Sequence, residues 1–131
     1  MKRLAIDVQP GEYAVARLSP GTPVPDGLLT PGTHFVSVTR TAAELSVICP
    51  AGLAPAAEQV EAGLRLLIVR GPLEFTLTGI IAALASELAA AGVALFTLST
   101  FDTDHVLVKQ SDLTRAVGAL RAAGHEVALP E

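Results

Sequence analysis

Residues 99–109, STFDTDHVLVK, decide how this chain is predicted to fold. Apolar residues end one strand and begin another, and hydroxyl and acidic residues lie between them. The segment is therefore predicted to be two antiparallel strands joined by a short polar turn. The turn carries Asp102, Asp104 and three hydroxyl groups. Polar groups are ordinary in such a turn, so their meaning depends on what the chain places beside them.

The surrounding sequence places this hairpin in the middle of a βαββαβ unit. The predicted elements are a strand at 64–70, a helix at 78–91 that Gly92 ends, strands at 94–99 and 105–109, a helix that Ser111 caps and Gly124 closes, and a strand at 125–129. Two helices in this order cover one face of an antiparallel sheet. The predicted class is α+β with a ferredoxin-like topology.

The first half of the chain resembles a fainter copy of the second. Residues 35–49 align without gaps onto residues 95–109 at an offset of 60, and a strand at 13–18 would match 64–70. Pro and Gly cluster at 19–32, where the copied helix would lie, and they exclude a long helix there. A helical patch is predicted at 54–62. We therefore expect two units in tandem, a degenerate one at 1–62 and a complete one at 63–131.

The composition excludes several classes of protein. The 131 residues carry a net charge of −4 with scattered basic residues, which argues against a nucleic-acid partner. The longest apolar stretch, 79–93, is shorter than the roughly 20 residues of a membrane-spanning helix. The N-terminus lacks the apolar run of a signal peptide, and a single cysteine forms no internal disulfide. A cytoplasmic location and no membrane partner are expected.

The sequence shows no set of residues for catalysis. His34, His105 and His125 are too far apart for metal-ligand spacing, and Cys49 has no evident base beside it. The glycines from 71 to 79 lack the lysine and the spacing of a phosphate-binding loop. We therefore expect no enzyme activity, no metal and no cofactor.

Three blocks carry a resemblance to a known family: residues 39–49, residues 69–80 and residues 99–113. The chain resembles ACT domain proteins, and within them the variant of the CASTOR arginine sensors and of small bacterial proteins with two ACT units. The resemblance implies a regulatory amino-acid sensor that works as a homodimer or through side-by-side units. It also implies that the ligand lies at the junction of two units, either within one chain or between chains.

Carried over residue by residue, the resemblance implies a site with two parts. The start of the first helix would supply Thr78, Gly79, Ile80 and Ile81, and the polar turn would supply Thr100, Phe101, Asp102, Thr103 and Asp104. These residue types suit a zwitterion. Unpaired N–H groups at a helix N-terminus attract a carboxylate, and Asp carboxylates accept hydrogen bonds from an ammonium group.

A structural role explains some of the same residues. Thr78 can simply cap the helix, and Asp102 with Thr103 can form a local Asx-turn without any ligand. A purely structural or oligomerisation module, which binds a partner protein and no small ligand, is therefore the alternative function.

Overall fold

The computed structural model describes residues 3–32, 34–71 and 79–131. The strands are β1 (Ala5–Val8), β2 (Tyr13–Leu18), β3 (Ser37–Arg40), β4 (Leu45–Pro50), β5 (Gln59–Val69), β6 (Leu95–Ser99), β7 (Asp104–Lys109) and β8 (Glu126–Ala128). The helices are α1 (Ile80–Ala90) and α2 (Leu113–Ala122), and short 3₁₀ turns occupy Ala51–Leu53 and Gln110–Asp112. No helix in these ranges is both long and apolar enough to cross a membrane.

The chain forms two compact units. Residues 11–64 make up one, which we call the inserted unit. Residues 1–10 and 65–131 make up the other, which we call the flanking unit. The flanking unit therefore takes the N-terminal strand β1 as well as the C-terminal half of the chain. The division into duplicated copies at 1–62 and 63–131 remains a prediction.

The sheet of the flanking unit has the order β6-β7-β5-β1-β8. Strand β1 is antiparallel to β5, with Ile6 opposite Val69, and parallel to β8, with Ile6 opposite Val127. The elements from β5 to β8 follow the predicted βαββαβ order, and the predicted α+β, ferredoxin-like class is confirmed. The parallel β1–β8 pair makes the sheet mixed.

Both helices pack on one face of this sheet. Ile80, Leu84 and Leu88 recur at the helical spacing of four along α1 and are buried. They join a single core with Leu4 and Val93, which lie outside the helices and strands, and with buried residues of α2 and of four strands: Ala116, Val117, Leu120, Ile6, Val8, Leu67, Val69, Val106, Val108 and Val127. The strand members alternate with residues on the other face, as the two-residue period of a strand requires.

Strand β1 was not predicted from the sequence. Its signal is a short alternation in which Leu4, Ile6 and Val8 are buried and Asp7 is only half-buried. Four strand residues are too few to stand out by period alone, and their strand form depends on pairing with β5 and β8.

The inserted unit has the strand order β3-β4-β2-β5, with all its pairs antiparallel. The Pro- and Gly-rich connection from β2 to β3 covers one face where a helix would otherwise lie. Its Leu28 is buried against Leu45, Val47 and Cys49 of β4, and Val24 and Val36 pack around this cluster. A loop with a few apolar anchors thus replaces the helix that its prolines exclude.

The predicted helix at 54–62 is wrong. Residues 54–57 form no helix, and β5 begins at Gln59, five residues before the predicted strand start. Val60 and Glu61 pair with Ala16 and Val15 of β2. These ladder bonds override the weak helical preference of an alanine- and glutamate-rich stretch, because propensity is a small term beside tertiary pairing.

The predicted cap at Ser111 is also wrong. Ser111 lies within a 3₁₀ turn, and α2 begins at Leu113 with Asp112 at its N-cap position. The Asp112 side chain makes no capping bond, and its Oδ1 accepts a hydrogen bond from Arg115 at 2.7 Å.

The alignment of the two hairpins is off by one residue. Arg40 is opposite Leu45 in one hairpin, and Ser99 is opposite Asp104 in the other, so the structural offset is 59 rather than 60. At this offset Val47 corresponds to Val106, and each is buried in the core of its own unit. A slip of one residue moves every side chain of a strand to the other face of the sheet. The alignment at an offset of 60 therefore matched residues that lie on opposite faces.

Candidate functional site

The polar turn is attached to the C-terminal end of β5. Within the turn, the Thr100 N–H donates to the carbonyl of Thr103 at 2.9 Å, and the Thr100 hydroxyl lies 3.2 Å from the same oxygen. The Thr103 hydroxyl donates to the Val69 carbonyl at 2.6 Å. The turn therefore lies beside the C-terminal end of β5.

Asp104 is the first residue of β7 and is half-buried. Its Oδ1 accepts a hydrogen bond from the Ser99 hydroxyl at 2.5 Å. Asp104 is in the same alternating row as Val106 and Val108, which pack in the core that also holds Ile80. The carboxylate thus belongs to the helix-covered face of the sheet.

Asp102 and Phe101 project from the tip of the turn. The Phe101 side chain is 80% exposed. Asp102 is exposed and forms no hydrogen bond or ion pair with a residue of the described ranges. The Asx-turn weighed for Asp102 is therefore not formed, and the turn closes through Thr100 and Thr103 instead.

Thr78 lies outside the described residues, and the described part of the helix start begins at Gly79. Gly79 is the N-cap of α1 with φ +82°, a conformation that side chains rarely adopt. It has no side chain to cap the first turn of the helix. Among the described residues outside the helix backbone and the chain neighbours of Gly79, no atom lies within 4 Å of the place where a Cβ would be.

Ile80 and Ile81 differ in how they can take part in a site. The Ile80 side chain is only 8% exposed and packs in the core, so only its backbone is available to a ligand. Ile81 is half-buried. No acidic residue lies in the first turn of α1, so the positive end of the helix dipole has no carboxylate from the helix itself.

An ion pair that the sequence reasoning missed lies beside the turn. Arg70 follows Val69 and donates to both carboxylate oxygens of Asp7, from Nε at 3.1 Å and from Nη2 at 2.7 Å. This hydrogen bonding by Arg70 lowers the pKa of Asp7, although partial burial opposes the effect. The two residues are 63 positions apart, so no local pattern links them. The only signal in the sequence was the alternation of apolar and polar residues around Asp7.

No cluster of three or more His, Cys, Asp or Glu side chains occurs in the part of the chain that the structure describes. Burial lowers the pKa of His105, with the neighbouring Asp104 opposing the shift, so the imidazole favours its neutral form. Burial raises the pKa of the Cys49 thiol, which disfavours the reactive thiolate.

Comparison with known proteins agrees with this architecture. An ACT domain family model matches residues 59–122, and a second model, which describes an N-terminal domain, matches residues 11–56. No curated protein sequence matches the chain. The second match begins where the inserted unit begins.

Several solved structures are similar to this chain. The protein Atu0741 from Agobacterium tumefaciens is 36% identical, with a TM-score of 0.89, over 100% of this chain and 96% of that one. VC0802 from Vibrio cholerae, described as a possible transport protein of unknown function, is 23% identical with a TM-score of 0.66 over 91% and 88%. Aspartate kinase from Synechocystis is 18% identical with a TM-score of 0.63, over 97% of this chain and 28% of the kinase.

The βαββαβ order, the sheet with helices on one face and the ACT domain match lead to one conclusion. The chain carries an ACT domain, matched over residues 59–122, and it belongs to the same family as Atu0741.

Proposed function

We propose that this protein is a regulatory sensor that binds an amino acid and has no catalytic activity of its own. The observation that carries the proposal is the acidic turn attached to the end of β5, with Asp104 on the helix-covered face of the sheet. ACT domains generally bind amino acids in regulatory roles, and this placement supports the same role here. The CASTOR-like subtype and the cytoplasmic location remain predictions.

The proposed site uses the two ends of the amino acid separately. The ligand carboxylate accepts hydrogen bonds from backbone N–H groups at the start of α1, where Gly79 leaves the backbone open. The ligand ammonium donates to Asp104, whose second carboxylate oxygen has no partner among the described residues. Thr100, Phe101, Asp102 and Thr103 form the polar wall, and Thr78, Ile80 and Ile81 complete the helix side of the site.

Thermal unfolding with each common amino acid tests the proposal. A ligand present at about ten times its Kd stabilises the folded state by about 1.4 kcal/mol, so binding raises the Tm. Asp104→Asn keeps the size of the side chain and removes the charge, so the increase is expected to disappear. Asp26→Asn, an exposed carboxylate of the inserted unit, is the matched control and keeps the increase.

A turn exchange sharpens this test. Phe101→Ala, Asp102→Ala and Thr103→Glu together copy residues 42–44, which form the corresponding turn of the inserted unit. The exchanged chain is expected to fold and to lose most of its response to the amino acid. If no amino acid at millimolar concentration raises the Tm of the unaltered protein, the proposal is wrong.

One observation favours the alternative of an oligomerisation module. Strand β6 pairs only with β7 in the described part of the chain, and Phe96 on β6 is 45% exposed. An edge strand with an exposed aromatic residue is suited to pairing with a second copy, so we also propose a homodimer. Light scattering of the unaltered protein and of Phe96→Glu tests this. A Phe96-dependent dimer without any amino-acid response would favour the alternative over the sensor.

A further inference from the structure

The inserted unit holds a polar cleft that the proposed amino-acid site does not include. Its volume is about 300 Å³, and it lies between the end of β2 and the approach to β5. Its polar lining comes from Arg17, Ser19, Thr22, Glu58 and Gln59, and Leu18, Ala56 and Ala57 complete the lining. The volume is at the lower end of the range of about 300 to 1,000 Å³ for small-molecule sites.

The cationic group of the cleft is held in place by the protein. Arg17 donates from Nη2 to the carbonyl of Ala43 at 3.0 Å, which orients the guanidinium. Its remaining N–H groups have no hydrogen-bond partner among the described residues. Arg17 is directly opposite Gln59 in the β2–β5 ladder, so the two side chains project from the same face.

The anionic group of the cleft is Glu58, next to Gln59 in the chain. Glu58 and Arg17 line the same cleft, yet they do not form an ion pair with each other, and Glu58 has no ion pair with any residue of the described ranges. Two opposite charges that share a small cleft without neutralising one another can each bind one end of a ligand. A dianion would be repelled by Glu58, and a simple cation would be repelled by Arg17.

Hydrogen bonds within the inserted unit hold the wall that carries Ser19 and Thr22. The Thr22 N–H donates to the Ser19 carbonyl at 3.0 Å, which closes a tight turn. Arg40 donates from Nη2 to the Thr22 carbonyl at 2.9 Å and from Nη1 to the Pro20 carbonyl. A preformed wall lowers the entropy that binding costs.

We propose that this cleft binds a small zwitterion, with its carboxylate on Arg17 and its ammonium on Glu58. Ser19, Thr22 and Gln59 provide further hydrogen bonds to the polar part of the ligand. The site lies wholly within the inserted unit and uses no residue of the acidic turn. It would give the chain a second, independent binding site.

Amide NMR spectra of the full chain test this proposal. Each common amino acid is added at about 10 mM, enough to fill most of a site with millimolar Kd. The amide signals of residues 17–22, apart from Pro20, and of residues 56–59 are expected to shift. Arg17→Gln and Glu58→Gln are each expected to weaken this binding about tenfold, the loss of one charge-assisted hydrogen bond.

Two variants that remove a charge elsewhere in the chain show whether a loss of binding is specific to the residues of the cleft. Glu61→Gln removes an exposed carboxylate three residues from Glu58, and Arg3→Gln removes an exposed guanidinium of the flanking unit. Both are expected to bind as the unaltered protein does. Asp104→Asn is expected to leave the shifts at 17–22 unchanged, so failure of this site and failure of the acidic-turn site are distinguishable.

Acetate and methylammonium, which each carry one of the two charged groups of an amino acid, complete the test. A zwitterion site binds each of them more weakly than the amino acid. If acetate binds as well as the amino acid and Glu58→Gln has no effect, the cleft is a simple anion site and the proposal is overturned. Absence of shifts at 17–22 and 56–59 with every amino acid also overturns it.

Discussion

The two hairpin turns share a backbone and differ in chemistry. In the inserted unit the Thr41 N–H donates to the Glu44 carbonyl at 2.9 Å, and in the flanking unit Thr100 and Thr103 make the same bond at the same distance. Between these positions the first turn has Ala42 and Ala43, and the second has Phe101 and Asp102. The threonine at the start of each turn and the equal loop length therefore determine the backbone hydrogen bond that closes it. The remaining residues decide what it can bind.

The element that packs over the sheet also differs between the two units. Helix α1 contributes Leu84 and Leu88 to the core of the flanking unit, whereas the inserted unit relies on Leu28 in a loop. A helix start is available as a ligand site only where the helix exists. The described residues of the inserted unit form no α-helix, so the site that uses a helix start is proposed for the flanking unit.

The largest expected effect tests whether the loop acts as a true core element. Leu28 is 5% exposed, and its neighbour Leu29 is 58% exposed. Leu28→Ala is expected to lower the free energy of unfolding by about 2 to 4 kcal/mol, as burial of a leucine predicts, while Leu29→Ala stays within about 0.5 kcal/mol. Urea unfolding measures both.

Leu84→Ala provides the helical reference for that comparison. It removes a fully buried side chain from α1, and its cost is expected to be in the same range of about 2 to 5 kcal/mol. A cost for Leu28→Ala no greater than that for Leu29→Ala would show that the loop does not replace the helix energetically.

A smaller effect is expected at the attachment of the turn. Thr103→Val removes the hydroxyl that donates to Val69 and is expected to cost about 1 kcal/mol of unfolding free energy. Thr100→Val is the control, because its hydroxyl contact lies inside the exposed turn and its N–H bond remains. Equal losses in the two variants would contradict the view that the bond to β5 holds the turn.

The smallest expected effect on stability is the loss of an ion pair. The ion pairs among the described residues all lie in the flanking unit, and the Asp7–Arg70 pair is partly exposed. Asp7→Asn is expected to lower the Tm less than Thr103→Val does, since exposed pairs contribute little.

This effect has a defined pH dependence. Arg70 lowers the pKa of Asp7 in the folded state below its usual value of 3.8, so the contribution is present above that value and is lost as the pH falls through the lowered one. The Tm difference between Asp7→Asn and the unaltered protein is therefore expected to close below about pH 4. A Tm difference that stays constant as the pH falls would contradict this interpretation.

Most of the flanking unit could be predicted from local pattern. The spacing of Ile80, Leu84 and Leu88, the glycine after α1 and the apolar residues of β7 are signals within single segments, and the structure confirms the elements they predict. The polar turn was found for the same reason. The Asp7–Arg70 pair was not found, since the pairing of β1 with β5 brings those residues together.

The sequence by itself determined the βαββαβ order, the position of the polar turn and the exclusion of a helix from the proline-rich segment. These follow from local periodicity and backbone restriction, which short segments carry in themselves. Tertiary structure alone decided that β1 joins the flanking unit, that residues 59–63 extend β5 and that the hairpins align at 59. Those outcomes depend on which distant backbone groups pair, and the pairing also selects the face on which Asp104 lies.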